Sequence, residues 1–293
     1  MVTISSHTNY SEESFTELIK PIPEAWEWFT KNKDGDIHIF ENTFLHEHVK
    51  FDGKIKVGLI TEVESVYDDA NKFDPHMFHP YKWLKTNYHH FDYFMGCFLS
   101  LKSYLGEDRF HYVPAPLCRI PRESFGMYEK ERILSVIASF KKYTYGHRLR
   151  HEVIAKFSKF MDIYGNGYNN IIDNYWQHGK IIGLAPYCFT LVVLNDPVED
   201  AFSEALTDAF TVGTIPIFWG TKNIGNYFNA DGIIQFNDIK ELDTIIPSLS
   251  KELYMSKIEA VKDNLERSKK YISPIEWMYN HREIFESMTK RIK

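Results

Sequence analysis

The stretch that decides the fold runs from Tyr187 to Gly220 and reads YCFTLVVLNDPVEDAFSEALTDAFTVGTIPIFWG. It opens with a run that is apolar except for Thr190, which is typical of a strand buried on both faces of a parallel sheet. After a short acidic loop, the pattern predicts a helix over 203–212, with Ser203 as its N-cap and Gly213 at its end. Residues 214–219 are predicted to form the next strand. Strand, loop, helix and strand in this order indicate one unit of a parallel α/β sheet.

The same alternation of strands and helices extends along the rest of the chain. Residues 54–61 read as a strong strand, and 133–139 open another that is followed by helical spacing of apolar residues. Residues 118–132 are charged and contain proline and glycine, which is a composition typical of a linker. We therefore predict an α/β protein with two Rossmann-like domains that face a cleft. The predicted segments are an N-terminal domain over 1–130, a second domain over 131–272 and a C-terminal helical segment over 273–293.

Composition excludes several classes of protein. The 293 residues carry a formal net charge of −6, so the chain has no basic footprint for nucleic acid. Its three cysteines, Cys97, Cys118 and Cys188, are far apart and odd in number, which argues against a disulfide scaffold and favours a reducing compartment. No apolar run reaches the ~18 residues that a membrane span needs. We expect a cytoplasmic protein without a transmembrane segment.

Candidate binding residues follow the central strand of the second domain. Ligands bind at the carboxyl edge of open α/β sheets, where Asn195 leaves the strand and Ser203 and Glu204 open the next helix. The first helical turn exposes N–H groups and the positive end of the helix dipole, so it suits a diphosphate, and Glu204 suits ribose hydroxyls. The alternative interpretation is that Ser203 and Glu204 only cap the helix and complement its dipole.

Two carboxylates, Glu62 and Glu64, follow the strong strand of the first domain. A carboxylate with a tuned pKa can act as a general base in a cleft, although carboxylates at exposed strand ends are also common without such a role. A metal site is not predicted. His46 and His48 would share one face of an extended segment, but the spacing fixes no third ligand. The other histidine candidates are equally unassigned, namely His76, His79, His89 and His90.

The second domain carries a specific set of short motifs. Together they resemble the donor-binding signature of the α-1,3-fucosyltransferases of glycosyltransferase family ten, and weaker similarity extends to residues 60–65. The motifs are Tyr187-Cys188-Phe189, Asn195, Ser203-Glu204, Asp208-Ala209-Phe210, Gly213-Thr214-Ile215-Pro216-Ile217-Phe218-Trp219-Gly220, Tyr227-Phe228-Asn229 and Phe236-Asn237-Asp238.

This resemblance implies a GT-B glycosyltransferase that moves a sugar from a sugar nucleotide to a glycan hydroxyl. It implies inversion at the anomeric carbon, no metal and no other cofactor, with GDP-fucose as the default donor. Glu62 matches the proposed base of the family, which deprotonates the attacking hydroxyl. The donor-binding assignments carried over by the resemblance fall on Asn195, Ser203, Glu204, Arg150 and Tyr187.

The sequence departs from the family at its cationic positions. Ala205 and Cys188 stand where the signature has lysines, and no arginine stands near 165–170, where the family has a phosphate-binding one. Lys180, Lys222 or Arg150 could replace the lost charge. A different donor, such as UDP-xylose or another UDP-sugar, therefore stays open. Two further alternatives stay open. One is a catalytically inactive module that binds a glycan or nucleotide, and the other is an unrelated two-domain α/β protein.

The C-terminal segment completes the expected architecture. Residues 275–292 read as a helix, with Arg282 within it and several basic residues near its end. In this fold such a helix would cross back to the N-terminal domain, and its charges would also allow it to touch a membrane surface. The acceptor glycan is not specified by any motif, because acceptor loops vary most within such families.

Overall fold

The computed structural model describes residues 2–8, 22–30, 33–114, 116–165, 168 and 178–291. These residues form two compact units. Unit 1 contains 2–8, 22–30, 33–114 and 273–291, and unit 2 contains 116–165, 168 and 178–272. The division therefore falls before residue 116, and residues 116–130, which the sequence analysis placed in the first domain, pack with unit 2.

Unit 1 is built on a five-stranded parallel sheet whose strands follow one another in chain order. Residue pairs such as Phe40 with Gly58 and Gly58 with Phe94 set the register of the three central strands. The strands are β1 (Ile4–His7), β2 (Ile37–Glu41), β3 (Ile55–Ile60), β4 (Tyr93–Gly96) and β5 (Phe110–Tyr112).

Unit 2 is built on a second five-stranded parallel sheet, but its strands are not in chain order. The strands are β6 (Arg132–Ile137), β7 (Asp162–Tyr164), β8 (Tyr187–Val193), β9 (Ile215–Trp219) and β10 (Ile234–Gln235). Their order across the sheet is β10-β9-β8-β6-β7. All seven residues of β8 are buried, as its largely apolar sequence predicts for a central parallel strand.

Helices connect the strands in both units, and none in the described ranges is long and apolar enough to span a bilayer. The helices are α1 (Pro23–Thr30), α2 (Glu64–Phe73), α3 (Pro80–Asn87), α4 (Lys102–Leu105), α5 (Tyr145–Phe157), α6 (His178–Leu184), α7 (Glu204–Thr211), α8 (Leu242–Ser248), α9 (Lys251–Ser256), α10 (Ile258–Ser268), α11 (Pro274–Asn280) and α12 (Glu283–Arg291).

The core of unit 2 lies on both faces of its sheet. Leu191 and Val193 of β8 join an apolar cluster with α5 and the helices after β10, whereas Val192 joins a different cluster with Leu206 and Phe210 of α7. Successive side chains of a strand point to opposite faces, so the two clusters cover the two faces of the sheet. This layering supports the α/β architecture expected from the sequence.

Residues 116–130 belong to unit 2 because they are buried in it. Cys118 and Ile120 form an apolar cluster with Leu184, Val212 and Ile272. The Cys118 N–H also donates a hydrogen bond of 2.8 Å to the carbonyl oxygen of Ile272. The linker-like composition of this segment therefore does not mark a solvated linker, since its apolar residues are covered by the domain that follows.

The C-terminal segment packs within unit 1. It forms two helices, α11 and α12, in place of the single helix that the sequence pattern predicted. Glu276 of α11 accepts a 2.9 Å hydrogen bond from the N–H of Ile22, and Trp28 of α1 contacts the rings of Tyr279 and Phe285 edge-on. These contacts tie the end of the chain to the helix at its beginning.

Candidate functional site

The sheet of unit 2 has a topological switch point between β6 and β8. The chain leaves β6 towards β7 on one side, while β8, β9 and β10 are added on the other side. Loops diverge at the carboxyl ends of such strands and leave a crevice, which is where open α/β sheets bind ligands. Asn195 follows β8 at this edge, and the loop after β6 leads into α5. This crevice is therefore the candidate ligand site of unit 2.

The start of α5 is fixed against the end of β8. Thr144 and His147 form a capping box at the first turn of the helix, and the Gly146 N–H donates a 3.1 Å hydrogen bond to the carbonyl oxygen of Asn195. A Cβ at Gly146 would lie 1.7 Å from the carbonyl oxygen of Leu194, so no larger residue fits without displacing the backbone. The approach of α5 therefore determines the backbone position of Asn195.

Three residues predicted from the sequence meet at one small cavity. Arg150 of α5, Lys180 of α6 and Glu204 of α7 line a space of about 70 Å³, together with Ala205 and Asp208. This volume corresponds to about two water molecules, so the cavity itself is too small for a nucleotide. Two cationic side chains thus lie beside Ala205, the position at which the family signature carries a lysine.

Lys180 forms an ion pair with a buried aspartate, Asp208. Its Nζ lies 2.5 Å from Oδ2 of Asp208, whose side chain is fully buried and also accepts the N–H of Arg119 at 2.6 Å. Burial raises the pKa of Asp208, and the lysine opposes that shift. The Lys180 Nζ is 3.8 Å from Glu204. Much of the Lys180 charge is therefore balanced by Asp208 within the protein.

The loop between β8 and α7 is held by a polar cluster. Asp200 has a positive φ of 60°, and its carboxylate accepts hydrogen bonds from Asn223 Nδ2 at 2.6 Å and from the Tyr227 hydroxyl at 2.7 Å. Ser203 is the N-cap residue of α7, but its hydroxyl makes no capping hydrogen bond to the helix. The first-turn N–H groups of α7 are therefore not covered by the side chain that usually caps them.

Tyr187 lies at the other edge of the sheet. It is the first residue of β8, and its hydroxyl donates to Asp162 at 2.7 Å and contacts the Tyr164 hydroxyl at 2.5 Å. A seven-residue strand spans roughly 20 Å, so Tyr187 does not reach the carboxyl-edge crevice and is not part of this site. Cys188 is next to it and fully buried. The loss of a lysine at position 188 therefore removes no charge from the crevice.

Cations that the sequence analysis did not single out lie on the loop after β6. Lys141 and Lys142 are exposed and, within the described part of the chain, neither has a hydrogen-bonded or ion-paired side chain. The loop is fixed from α5, because His151 Nε2 bonds to the carbonyl oxygen of Lys141 at 3.0 Å and Arg148 donates to that of Tyr143 at 2.6 Å. Their exposed position gives no periodic signal, so only the loop's place in the fold identifies them.

Lys222, the third candidate replacement for the lost charge, is exposed on the loop after β9. This loop leaves the sheet at the same carboxyl edge as Asn195. Lys222 does not line the cavity formed by Arg150, Lys180 and Glu204. Lys222 therefore lies at the edge of the crevice and not in the interior of the crevice.

Glu62 follows β3 at the carboxyl edge of the sheet in unit 1. Its backbone is held on both sides, because the Thr61 N–H donates to Asn42 Oδ1 at 3.1 Å and the Tyr81 hydroxyl donates to the Glu62 carbonyl oxygen at 2.9 Å. The Glu62 carboxylate is half-buried and accepts the N–H of Val63 at 3.1 Å. The carboxylate is therefore attached to a rigid segment of backbone.

A second carboxylate, Glu41, lies beside it and was missed by the sequence analysis. Glu41 ends β2, is 5% exposed, and accepts the Thr61 hydroxyl at 2.8 Å and the Thr8 hydroxyl. Burial raises the pKa of Tyr67, and the charges of Glu62 and Glu41 raise it further, in that order. Two carboxylates and a protonated tyrosine thus share this edge of the sheet. As the last residue of a short strand, Glu41 had no motif to distinguish it.

Glu64, Asp68 and His79 form a group whose side-chain atoms are close enough to ligate a metal ion. The Nδ1 atom of His79 accepts the backbone N–H of Lys82 at 3.2 Å, so its Nε2 carries the proton and donates to Asp68 at 3.1 Å. The Lys82 Nζ also lies 3.3 Å from Asp68. The group is thus arranged as a hydrogen-bonded ion-pair cluster rather than as a set of lone pairs aimed at an ion.

His46 and His48 do not share a face in the way an extended segment would require. They lie in a 3-10 helix over Asn42–Lys50. His48 is buried with Nδ1 near the carbonyl oxygen of Leu45, whereas the His46 ring contacts Phe78. The helix therefore separates the two imidazoles that an extended segment would place on one face.

Comparison with known proteins gives one curated relative. The chain is 38% identical over 82 residues to GDP-fucose protein O-fucosyltransferase 3 of Xenopus tropicalis. The match covers 26% of this chain and 17% of that relative, so the chain spans only a small part of the relative's length. No protein-family model matches the chain.

Solved structures match over nearly the whole chain. An α1,3-fucosyltransferase is similar with a TM-score of 0.56 and 15% identity, covering 92% of this chain and 90% of that one. The form of an α1,3-fucosyltransferase with GDP-fucose matches with a TM-score of 0.56 and 16% identity, over 90% and 82%. Anabaena Alr3699/HepE, in complex with UDP and glucose, gives 0.57 and 7%, over 87% and 78%.

The fold prediction is confirmed. Two parallel sheets with connecting helices form an α/β fold of the GT-B type, and the resemblance to α1,3-fucosyltransferases noted in the sequence recurs in whole-chain structural similarity. At identities of 7–16% this similarity describes the fold of the chain and not its activity.

Proposed function

We propose that this protein is a glycosyltransferase that moves a sugar from a sugar nucleotide to a hydroxyl group of a glycan. The observation that carries the proposal is the meeting of Arg150, Lys180 and Glu204 at the start of α7, next to the switch-point crevice. The fold is shared with an α1,3-fucosyltransferase solved with GDP-fucose, so GDP-fucose is the default donor. The short match to a protein O-fucosyltransferase supports the same choice.

In this proposal unit 2 holds the donor. The diphosphate lies against the first turn of α7, where N–H groups and the helix dipole favour negative charge. Glu204, whose side chain is 39% exposed, accepts hydrogen bonds from the ribose hydroxyls. Arg150 and the exposed Lys141 and Lys142 supply the positive charge that the family signature places at position 205, because all three belong to α5 or the loop that precedes it.

Unit 1 supplies the base. Glu62 removes the proton from the acceptor hydroxyl as its oxygen attacks the anomeric carbon, and the bond from that carbon to the diphosphate breaks. The nucleoside diphosphate leaves with the electron pair, and the anomeric configuration inverts. The N–H groups and cations around α7 stabilise the charge that develops on the leaving group, so the reaction needs no metal ion.

Two alternatives stay within the same fold. A UDP-sugar such as UDP-xylose is the alternative donor, which is favoured by the departures from the family signature at Ala205 and near 165–170. A module that binds a nucleotide or glycan without turnover is the alternative activity. The rigid attachment of Glu62 through Thr61 and Tyr81 favours the enzyme, because a binding module has no need to orient a base.

Incubation of the protein with a panel of GDP- and UDP-sugars tests the proposal. We expect slow release of nucleoside diphosphate from one donor, faster release when a suitable glycan is added, and the same rate in excess EDTA. Loss of activity in EDTA with recovery on Mn²⁺ would contradict the metal-independent mechanism. Saturable binding without release from any donor would favour the inactive module.

A further inference from the structure

A larger cavity lies at the amino edge of the sheet in unit 2, away from the candidate donor site. It has a volume of about 400 Å³. It is lined by residues of the segment that precedes β6, by Cys188 near the start of β8, and by residues of α9 and α10. Because the strands are parallel, this edge is opposite to the edge at which Asn195 and Glu204 lie. Nothing in the donor site therefore accounts for this cavity.

The cavity is mainly apolar and opens among exposed apolar side chains. Met127, Tyr128 and Met255 line it and are 41%, 36% and 58% exposed. Large apolar side chains that form a contiguous exposed patch often mark a binding site. Methionine side chains are flexible and polarisable, so they adapt to chains of different shape. The lining therefore suits an unbranched hydrocarbon chain better than a sugar or a nucleotide.

Positive charge lies among the lining residues. Lys251 and Lys262 line the cavity, against one acidic residue, Glu129. Lys262 is paired with Glu259 at 2.7 Å, whereas Lys251 forms no ion pair in the described part of the chain. In a protein with a net charge of −6, this local excess of lysine favours an anionic ligand.

Lys130 also lines the cavity, but it belongs to the wall. Its Nζ donates to the carbonyl oxygens of Ala185 at 2.7 Å and Val212 at 2.8 Å, and to Thr214 Oγ1 at 3.0 Å. An ammonium group has three N–H donors, so all three are used. Burial lowers the pKa of Lys130 to about 7. Among the lysines that line the cavity, Lys251 is therefore the one whose ammonium group has no partner among the described residues.

We propose that this amino-edge cavity binds a single-chain amphiphilic carboxylate, with its hydrocarbon chain among Met127, Tyr254 and Met255 and its carboxylate at Lys251. The volume lies in the lower part of the ~300–1,000 Å³ range of small-molecule sites, which suits a chain of medium length. The site is independent of the donor crevice, so its occupation does not require a sugar nucleotide.

Calorimetric titration tests this assignment with octanoate and decanoate below their critical micelle concentrations and with decanol below its solubility limit. Each methylene buried is expected to tighten binding about fourfold, so decanoate, with two more methylenes, should bind roughly fifteenfold more tightly than octanoate. Decanol, which lacks the charge, should bind more weakly than decanoate. Lys251→Met should remove that difference, whereas Lys240→Met, an exposed lysine near β10, should leave it unchanged.

Methyl NMR of ¹³C-methionine places the ligand independently of these variants. The Met127 and Met255 signals should shift on addition of decanoate, and the shift should persist with saturating GDP. No saturable binding, equal affinities for decanoate and decanol in the wild type, or shifts confined to other methionines would overturn the proposal. Association with anionic phospholipid vesicles in the absence of decanoate binding would identify the patch as a membrane-contact surface instead.

Discussion

At the scale of single residues, Glu62 is distinguished from other surface carboxylates by the attachment of its backbone. The Thr61 N–H donates a hydrogen bond to Asn42 Oδ1, and the Tyr81 hydroxyl donates to the carbonyl oxygen of Glu62. Asn42 adopts a left-handed conformation with φ of 47°, which asparagine tolerates better than most residues. Fixed backbone on both sides of Glu62 is the physical reason to propose Glu62 rather than Glu64 as the base.

We predict that Glu62→Gln lowers turnover by about 10²–10⁴-fold with little change in donor affinity, because the amide cannot accept the proton while its shape is retained. Glu64→Gln is the matched control and should stay close to the wild type, since Glu64 is an exposed residue at the start of α2. Steady-state transfer rates and calorimetric donor affinities measure the two effects. Near-normal transfer by Glu62→Gln would remove Glu62 from the role.

The loop lysines give a second prediction. The double substitution Lys141→Met, Lys142→Met should weaken binding of a nucleoside diphosphate by about twofold to tenfold, as expected for exposed cations that face phosphate. It should also flatten the dependence of affinity on salt. Lys159→Met, an exposed lysine after α5, is the control. An equal loss of affinity for the nucleoside without phosphates would show that the lysines act through the loop and not through charge.

The sequence predicted the position of two residues at the carboxyl edge, whose binding role stays a prediction. Asn195 and Glu204 follow from the order of strand, loop and helix, because the carboxyl end of a parallel strand defines the ligand edge. Tyr187 belongs to the same motif but begins the strand, and its hydroxyl is bound by Asp162. A motif records which residues recur together, and it does not separate those that pack the core from those that face the ligand.

At the scale of elements, the approach of α5 to β8 is the contact that shapes the crevice. We predict that Gly146→Ala destabilises unit 2 by at least about 1–3 kcal/mol, as overpacking does, since the new Cβ would lie 1.7 Å from the Leu194 carbonyl oxygen. Gly126→Ala is the control, because a Cβ there has no neighbour within 4 Å. Urea denaturation followed by fluorescence compares the two. Equal midpoints would contradict the packing described for α5.

Strands with strong apolar runs were predictable, whereas two of the four short edge strands were missed. β3, β8 and β9 were expected from sequence, whereas β1 and β7 were missed. Both lie at the edge of a sheet and contain four and three residues. An edge strand of this length takes its conformation from pairing with its neighbour. β1, for example, pairs Ile4 with Ile37 and His7 with Phe40, contacts that no local pattern encodes.

At the scale of the whole molecule, histidines within unit 1 link its stability to pH. His7 of β1 stacks on Phe40 with ring centroids 4.5 Å apart, and its Nε2 lies 3.0 Å from Nδ1 of the buried His38. Burial, with a contribution from His38, lowers the pKa of His7 to about 4. The unfolded chain protonates near pH 6.5, so between pH 6.5 and 4 it binds a proton that the folded chain does not.

The free energy of unfolding is therefore expected to fall as the pH drops through this window. Urea midpoints at pH 7 and pH 4.5 measure the loss. His7→Phe keeps the stack on Phe40 but removes the titrating group, so its midpoint should fall less between the two pH values. An acid-induced loss of the same size in the variant would show that other groups, such as buried carboxylates, control the pH dependence.

The central claim is that the carboxyl edge of unit 2 binds a nucleoside diphosphate through the start of α7. Calorimetric titration of GDP and UDP into the wild type and Glu204→Ala tests it most directly. We predict saturable binding of one of the two nucleotides at a single site, and roughly tenfold or greater weakening in Glu204→Ala, because a charge-assisted hydrogen bond to the ribose is worth about 1.5–3 kcal/mol. Absence of binding by both nucleotides, or unchanged affinity in Glu204→Ala, would contradict the account.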